Sequence, residues 1–228
     1  MSPHVLAIDT TGEVGSIALV GERGLIEEVA LDSPDGFAHV LFDVIERLLE
    51  RHALNVSQID AFASASGPGS FTGVRVGLTA VKGLAEAAGR KIIAVSNLQA
   101  LAWHGSQPLR AVVLDARRGE IYGGVYDNHL QLVQEEVVAP LSMWLASLPQ
   151  GEIEIVTQGL PLGGATVPAF GSHTVVQAPK TLAGSIGRIA FDRLLSGEVL
   201  DPAQVDANYV RRSDAELLWK DKPPVPAR

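Results

Sequence analysis

The chain has 228 residues, 46% of them hydrophobic, with 18 Lys and Arg against 26 Asp and Glu for a net charge of −8, and no cysteine. The apolar share is enough to build a core, which excludes a disordered chain, and the length holds one large domain or two small lobes. The acidic balance and 5% aromatic content argue against gripping nucleic acid alone, which takes a basic stripe, and the missing thiols exclude disulfides, thiolate catalysis, zinc fingers and iron–sulfur clusters.

Residues 1–9 carry no Lys or Arg and only a short apolar stretch before Asp9, so they read as neither signal peptide nor anchor. No apolar run approaches the ~18 residues of a membrane helix. A soluble, cytoplasmic protein is expected. Val5–Asp9 reads as a buried strand, followed by the loop Thr10-Thr11-Gly12-Glu13, a strand over Val14–Val20, a turn at Gly21–Gly24 and a strand over Leu25–Leu31. Phe37, Val40, Leu41, Val44, Ile45, Leu48 and Leu49 then recur at helical spacing behind Asp35 and Gly36. A strand over Ile59–Ser64 leads through Ser66–Thr72 into a helix from about Gly73 to Ala88, and a short strand follows at Lys91–Val95.

The second half echoes the first. Ala111–Asp115 repeats the opening strand with its terminal acid, Ala116-Arg-Arg-Gly119-Glu120 stands where the first Gly-Glu loop stood, and strands over Ile121–Tyr126 and Leu130–Val138 flank a turn at Asp127-Asn128. Self-similarity of this kind marks a duplicated fold. Beyond it come a short helix between Pro140 and Pro149, a strand at Ile153–Thr157, a Pro/Gly-rich stretch over Gly159–Pro179 and a helix over Leu182–Leu195. The order of the first half, βββαβαβ, combines antiparallel strands with parallel crossovers, and the second half is thinner. The expected lobes are 1–105 and a smaller 106–219. A disordered tail is expected over 220–228, where three prolines stand among charges.

An Asp ending a strand and facing another across two duplicated lobes is how the α/β architecture of actin, Hsp70 and sugar kinases (ribonuclease H-like, with mixed sheets flanked by helices) holds Mg²⁺ and nucleotide phosphates. Asp9 and Asp115 are the candidates here, with Thr10, Thr11 and Gly12 as the first phosphate loop and ATP or ADP with Mg²⁺ as the candidate ligand. The alternative is that each Asp caps a turn by bonding its own backbone. The run Gly67-Pro-Gly-Ser-Phe-Thr-Gly-Val-Arg-Val-Gly77 opens a helix, where an anion can sit. It lacks the Gly-Lys-Ser/Thr of a Walker A loop, and a tight turn with Ser70 or Thr72 as helix cap explains it more simply.

On the helix that follows, Arg75, Thr79, Lys82 and Glu86 make one narrow polar stripe, and every other residue from Val74 to Ala88 is aliphatic or glycine. A helix apolar nearly all round is covered on nearly all sides, which in so short a chain points to a partner, the alternative being cover by the second lobe. The expected partner surface comprises Val40, Leu41, Val44, Ile45 and Leu48 with Val74, Gly77, Leu78, Ala80, Val81 and Leu84, the small residues admitting a close helix. The six histidines are scattered, with no His-x-x-x-His pair, so no metal site is expected, and no serine elbow marks a nucleophile. No catalytic residue is assigned. Glu27-Glu28 and Glu135-Glu136 read as solvated positions.

Taken together, Ala7-Ile-Asp-Thr10, the run Gly67–Gly77 and Asp115-Ala-Arg-Arg-Gly-Glu-Ile-Tyr122 closely resemble the bacterial TsaB family, formerly YeaZ, and the resemblance extends to Asn208-Tyr-Val-Arg-Arg212. It implies an actin-like fold. It also implies a part in placing the threonylcarbamoyl group on N6 of the adenosine next to the anticodon, in tRNAs reading codons that begin with adenine. The implied role is a scaffold: the catalytic paralogue TsaD binds metal through a histidine pair on a helix, and Leu98-Gln-Ala-Leu-Ala-Trp-His104 stands at the corresponding place here. Docking of TsaD on the first two helices, arrival of the ATPase TsaE, self-pairing through the same surface and contact with tRNA only through the complex are further implications. Two readings compete. An ATP-dependent phosphotransferase of the sugar-kinase type would need an adenosine loop, for which Gly163-Gly164 is the candidate, and a glycoprotease-like metallopeptidase would need metal ligands.

Overall fold

The computed structural model describes residues 2–159, 170–208 and 210; the tail over 220–228 and Gly163-Gly164 lie outside them. In chain order the elements are β1 His4–Asp9, β2 Gly15–Gly21, β3 Gly24–Leu31, α1 Leu41–Arg51, β4 Ala61–Ala65, α2 Phe71–Ala88, β5 Lys91–Val95 and α3 Asn97–Ala102. Then follow β6 Leu109–Asp115, β7 Glu120–Asp127, β8 Leu132–Pro140, α4 Leu141–Ala146, β9 Ile153–Thr157, β10 Thr174–Gln177 and α5 Ala183–Ser196.

The two sheets are built alike. The first has the order β3-β2-β1-β4-β5 and the second, read in the same sense, β8-β7-β6-β9-β10. In each, the first three strands are antiparallel and the last two join in parallel. The echo in the sequence is therefore a true structural repeat, with β1 and β6 as the equivalent central strands and Asp9 and Asp115 at their C-terminal ends. The fold is the expected actin-like α/β type.

Side chains alternate between the faces of each sheet, as strand geometry requires. On the first sheet Leu6, Ile8, Ile17, Leu19 and Phe62 face outward under α1 and α2. Val5, Ala7, Ala18, Val20, Ala61 and Ala63 face inward. With helices on both faces, β1 and β2 are buried almost throughout, so their sequences read as continuous apolar runs. On the second sheet Val112, Tyr122, Tyr126 and Val156 face the same inner core, while Val113, Ile121, Val125 and Ile155 pack outward with Trp144 of α4.

The inner helices are exchanged between the sheets. α5, from the end of the second half, lies on the first sheet, whereas α3, from the end of the first half, lies on the second, and the two touch. The division at 105/106 separates the strands but not the packing, because residues after 182 complete the first lobe. Ser16 and Glu28 hold α5 there. Ser16 Oγ accepts from the Ala183 N–H at 3.0 Å and Glu28 Oε1 from the Gly184 N–H at 2.9 Å, which places a carboxylate at the positive end of the helix. Glu28 is thus a helix cap, not a solvated position. Neighbouring Glu27 pairs with Arg51 at 2.6 Å and His52 at 2.7 Å, and those hydrogen bonds hold its carboxyl below the usual range.

Two elements are missing from the sequence reading. The six-residue α3 starts directly after β5, with Ser96 as its cap, and β10 lies within the Pro/Gly-rich stretch. The first helix also begins at Leu41, after a 3-10 turn over Phe37–His39. Among the described residues no helix is long and apolar enough to cross a membrane.

Candidate functional site

The glycine-rich run and the loop after β1 form one unit. Ser70 caps α2, its Oγ accepting from the Gly73 N–H at 3.2 Å, so the cap expected at Ser70 or Thr72 is Ser70. The Ser70 N–H donates to the Thr11 carbonyl at 2.8 Å, and the Thr10 hydroxyl donates to the Gly73 carbonyl at 2.6 Å. The glycines are what permit this approach. A Cβ on Gly69 would stand 2.8 Å from Thr11 Cβ, one on Gly73 2.0 Å from the Thr10 carbonyl oxygen, and one on Gly77 2.8 Å from the hydroxyls of Ser64 and Thr10. The run is a seat for the chain's own loop.

Asp9 sits at the centre of this seat and is buried. Its Oδ1 accepts from the Thr11 N–H at 2.9 Å and from the Thr11 hydroxyl at 2.6 Å. Asn97, the first residue of α3 and also buried, donates to the Thr11 hydroxyl oxygen at 2.5 Å and accepts from the Gly67 N–H at 3.0 Å. Nothing in the sequence reading pointed to Asn97; its signal is a polar pair, Ser96-Asn97, ahead of an apolar run. Desolvation pushes the Asp9 carboxyl above the usual range, opposed by the Thr11 and Asn97 hydrogen bonds and reinforced by the charge of Glu28.

A carboxyl whose pKa is raised on folding stabilises the fold most when protonated, and that contribution is lost as pH rises through the folded value. Asp9→Asn removes the titration. Relative to wild type, the variant is therefore expected to gain thermal stability steadily from acid to neutral pH. Parallel melting curves for the two proteins across that range would contradict it.

Asp115 repeats the geometry. Its Oδ1 accepts from the Arg117 N–H at 2.8 Å, two residues on, as Asp9 does from Thr11. Arg117 and Arg118 then take left-handed φ values of 62° and 57° ahead of Gly119 at 79°. Both strand-terminal acids cap their own turns. Of the loop proposed to hold phosphate, the Thr11 N–H and both threonine hydroxyls are committed within the chain, and the Gly67–Gly73 segment rests against it. Asp9, Thr10 and Thr11 are thus engaged by their own chain, in the arrangement of a turn cap and not of an open phosphate loop. Among the described residues no cluster of three or more metal-ligating side chains occurs.

The helical surface also differs from the expectation. Leu41, Ile45, Leu48, Val74, Leu78, Ala80 and Val81 pack into the outer core of the first sheet, and Gly77 is buried against Ser64 and Thr10. These positions are covered by their own chain. The small residues let α2 approach its sheet. Val40, Val44 and Leu84 are half-buried, and what reaches solvent is the other side: Phe42 on α1, and Phe71, Arg75, Thr79 and Gly83 at four-residue spacing on α2. The Arg75 guanidinium lies 3.9 Å from the Phe71 ring centroid.

Comparison with known proteins gives a consistent picture. The family model for TsaD, tRNA N6-adenosine threonylcarbamoyltransferase, matches residues 34–196. The tRNA threonylcarbamoyladenosine biosynthesis protein TsaB of Bacillus subtilis is 32% identical over 160 residues, 68% of this chain and 70% of that one. The protein of the same name from Haemophilus influenzae is 37% identical over 140 residues, 58% of this chain, and the match spans about half, 55%, of that relative's length. Among solved structures, YeaZ from Pseudomonas aeruginosa superposes with a TM-score of 0.78 at 28% identity, covering 91% of this chain and 99% of the other.

Proposed function

This chain belongs to the TsaB (YeaZ) family, and from that premise we propose that it is the non-catalytic scaffold of tRNA threonylcarbamoylation, pairing with the transferase TsaD while the ATPase TsaE joins the pair. The observation that carries the reading is α3. Where the resemblance places the metal-binding histidines of the transferase, Leu98, Ala100, Leu101 and Ala102 are buried in the interlobe core. His104, just beyond, has its Nε2 buried without a hydrogen-bond partner, and burial lowers its pKa. A helix packed in this way offers no open coordination position of the kind a catalytic metal needs.

The docking surface proposed for TsaD, and for a second copy when TsaD is absent, is the solvent side of α1 and α2, with Phe42 and Phe71 as its apolar anchors. These are 54% and 41% exposed. Aromatic side chains are favoured at such centres, and two neighbouring helices supply the ~800 Å² per partner that a stable interface needs. The test is sedimentation of the purified chain with TsaD. A one-to-one complex is expected, lost on Phe42→Glu/Phe71→Glu substitution with the circular dichroism spectrum unchanged. A chain that sediments alone beside TsaD, or a double variant that still binds, would overturn the reading.

A further inference from the structure

The segment after α5 returns across the molecule and touches both cores. Val205 is buried in the outer core of the first sheet, with Ala207 packed beside it, and Val210 packs against the interlobe core. On its way the segment flanks α2, sharing a groove with Thr79 and Lys82. Between these anchors lies Asn208. Its N–H donates to the Ser66 carbonyl at 2.7 Å, at the end of β4, and its carbonyl oxygen lies 2.9 Å from where a Cβ on Gly67 would stand. Its side-chain amide donates to Glu136 Oε2 at 2.6 Å.

Glu136, on β8 of the second sheet, gathers three elements. Besides Asn208, its other carboxylate oxygen accepts from the hydroxyls of Ser96 and Tyr126. Ser96 caps α3, and Tyr126 is 3% exposed, with burial and the neighbouring carboxylate pushing its phenol pKa up, so that it stays a donor. Charge-assisted hydrogen bonds of this kind are the strong ones.

We propose that residues 205–208, with Val210, are a strap that holds the two lobes together, latched by Asn208 to Ser66 of one lobe and Glu136 of the other, so that interlobe closure is built into the chain and needs no ligand. A fold whose lobes hinge about a bound nucleotide would leave the closing contacts to the ligand. Here a backbone hydrogen bond, a carboxylate–amide bond and two apolar anchors take that place.

The test is hydrogen exchange on the full chain. In Asn208→Ala and in Glu136→Gln, the amides of α3 and of β8 are expected to exchange about tenfold faster, as loss of one such bond predicts. The double variant should go little further than Glu136→Gln alone, because the bond that Asn208→Ala removes is already among those lost with the Glu136 carboxylate. Glu135→Ala, on the exposed neighbour, should leave exchange at wild-type rates, and ATP with Mg²⁺ should add no protection to wild type. Faster exchange confined to the strap, or protection of both lobes gained only with ATP, would overturn the proposal.

Discussion

Gly73→Ala is expected to lower the melting temperature by ~10 °C, because the added methyl would stand 2.0 Å from the Thr10 carbonyl oxygen. Most overpacking costs about 1–3 kcal/mol, relieved by rotamer changes. No rotamer relieves this one, since both sides of the clash are backbone and Thr10 lies in the turn fixed by Asp9. A loss of about 3 kcal/mol or more follows, and each kcal/mol moves the transition by roughly 2–4 °C in a chain of this size. Gly83→Ala is the opposite case on the same helix. Its Cβ would meet nothing within 4 Å, so alanine there should stabilise by about 1 kcal/mol through helix propensity. The pair needs only thermal melts followed by circular dichroism. Equal melting temperatures for the two variants would mean that α2 does not rest on the β1 loop.

Ala80→Arg and Thr79→Arg should separate the two sides of α2 still more sharply. Ala80 is 5% exposed, within the outer core of the first sheet. A guanidinium forced into that space would be a buried charge with no partner, costing several kcal/mol, so the Ala80 variant is expected to fail to fold. Thr79, one residue round the helix, is exposed. Its arginine variant should melt within about 0.5 kcal/mol of wild type yet fail to bind TsaD, because it places bulk and charge in the proposed interface. Circular dichroism reads the first outcome and sedimentation with TsaD the second. A folded Ala80→Arg protein that has lost TsaD would restore the small-residue face to the partner.

That contrast shows where sequence reasoning stops. The glycines and alanines of α2 announce a close approach, but periodicity is blind to whether the covering element is a partner or the chain's own sheet. The central duplicated strands β1, β2 and β7 were legible because burial on both faces writes continuous apolar runs, and α1 because its apolar stripe is clean. The strand-terminal position of Asp9 and Asp115 was legible too. Their role was not, since an acid that caps its own turn and one that faces a metal have the same sequence signature. Glu28 and Glu136 looked solvated because their partners, Gly184 and Asn208, lie 156 and 72 residues away. α3 has only six residues and one cap with which to announce itself.

The central claim, that the chain supports threonylcarbamoyl transfer without performing it, meets its most direct test in a reconstituted reaction. Purified chain, TsaD and TsaE are combined with unmodified tRNA and threonylcarbamoyl-adenylate, each protein omitted in turn, and modified adenosine is measured after tRNA digestion. The account predicts no product from this chain alone, and multiple-turnover product with TsaD that falls when this chain is left out. Modified tRNA formed by this chain in the absence of TsaD would contradict it.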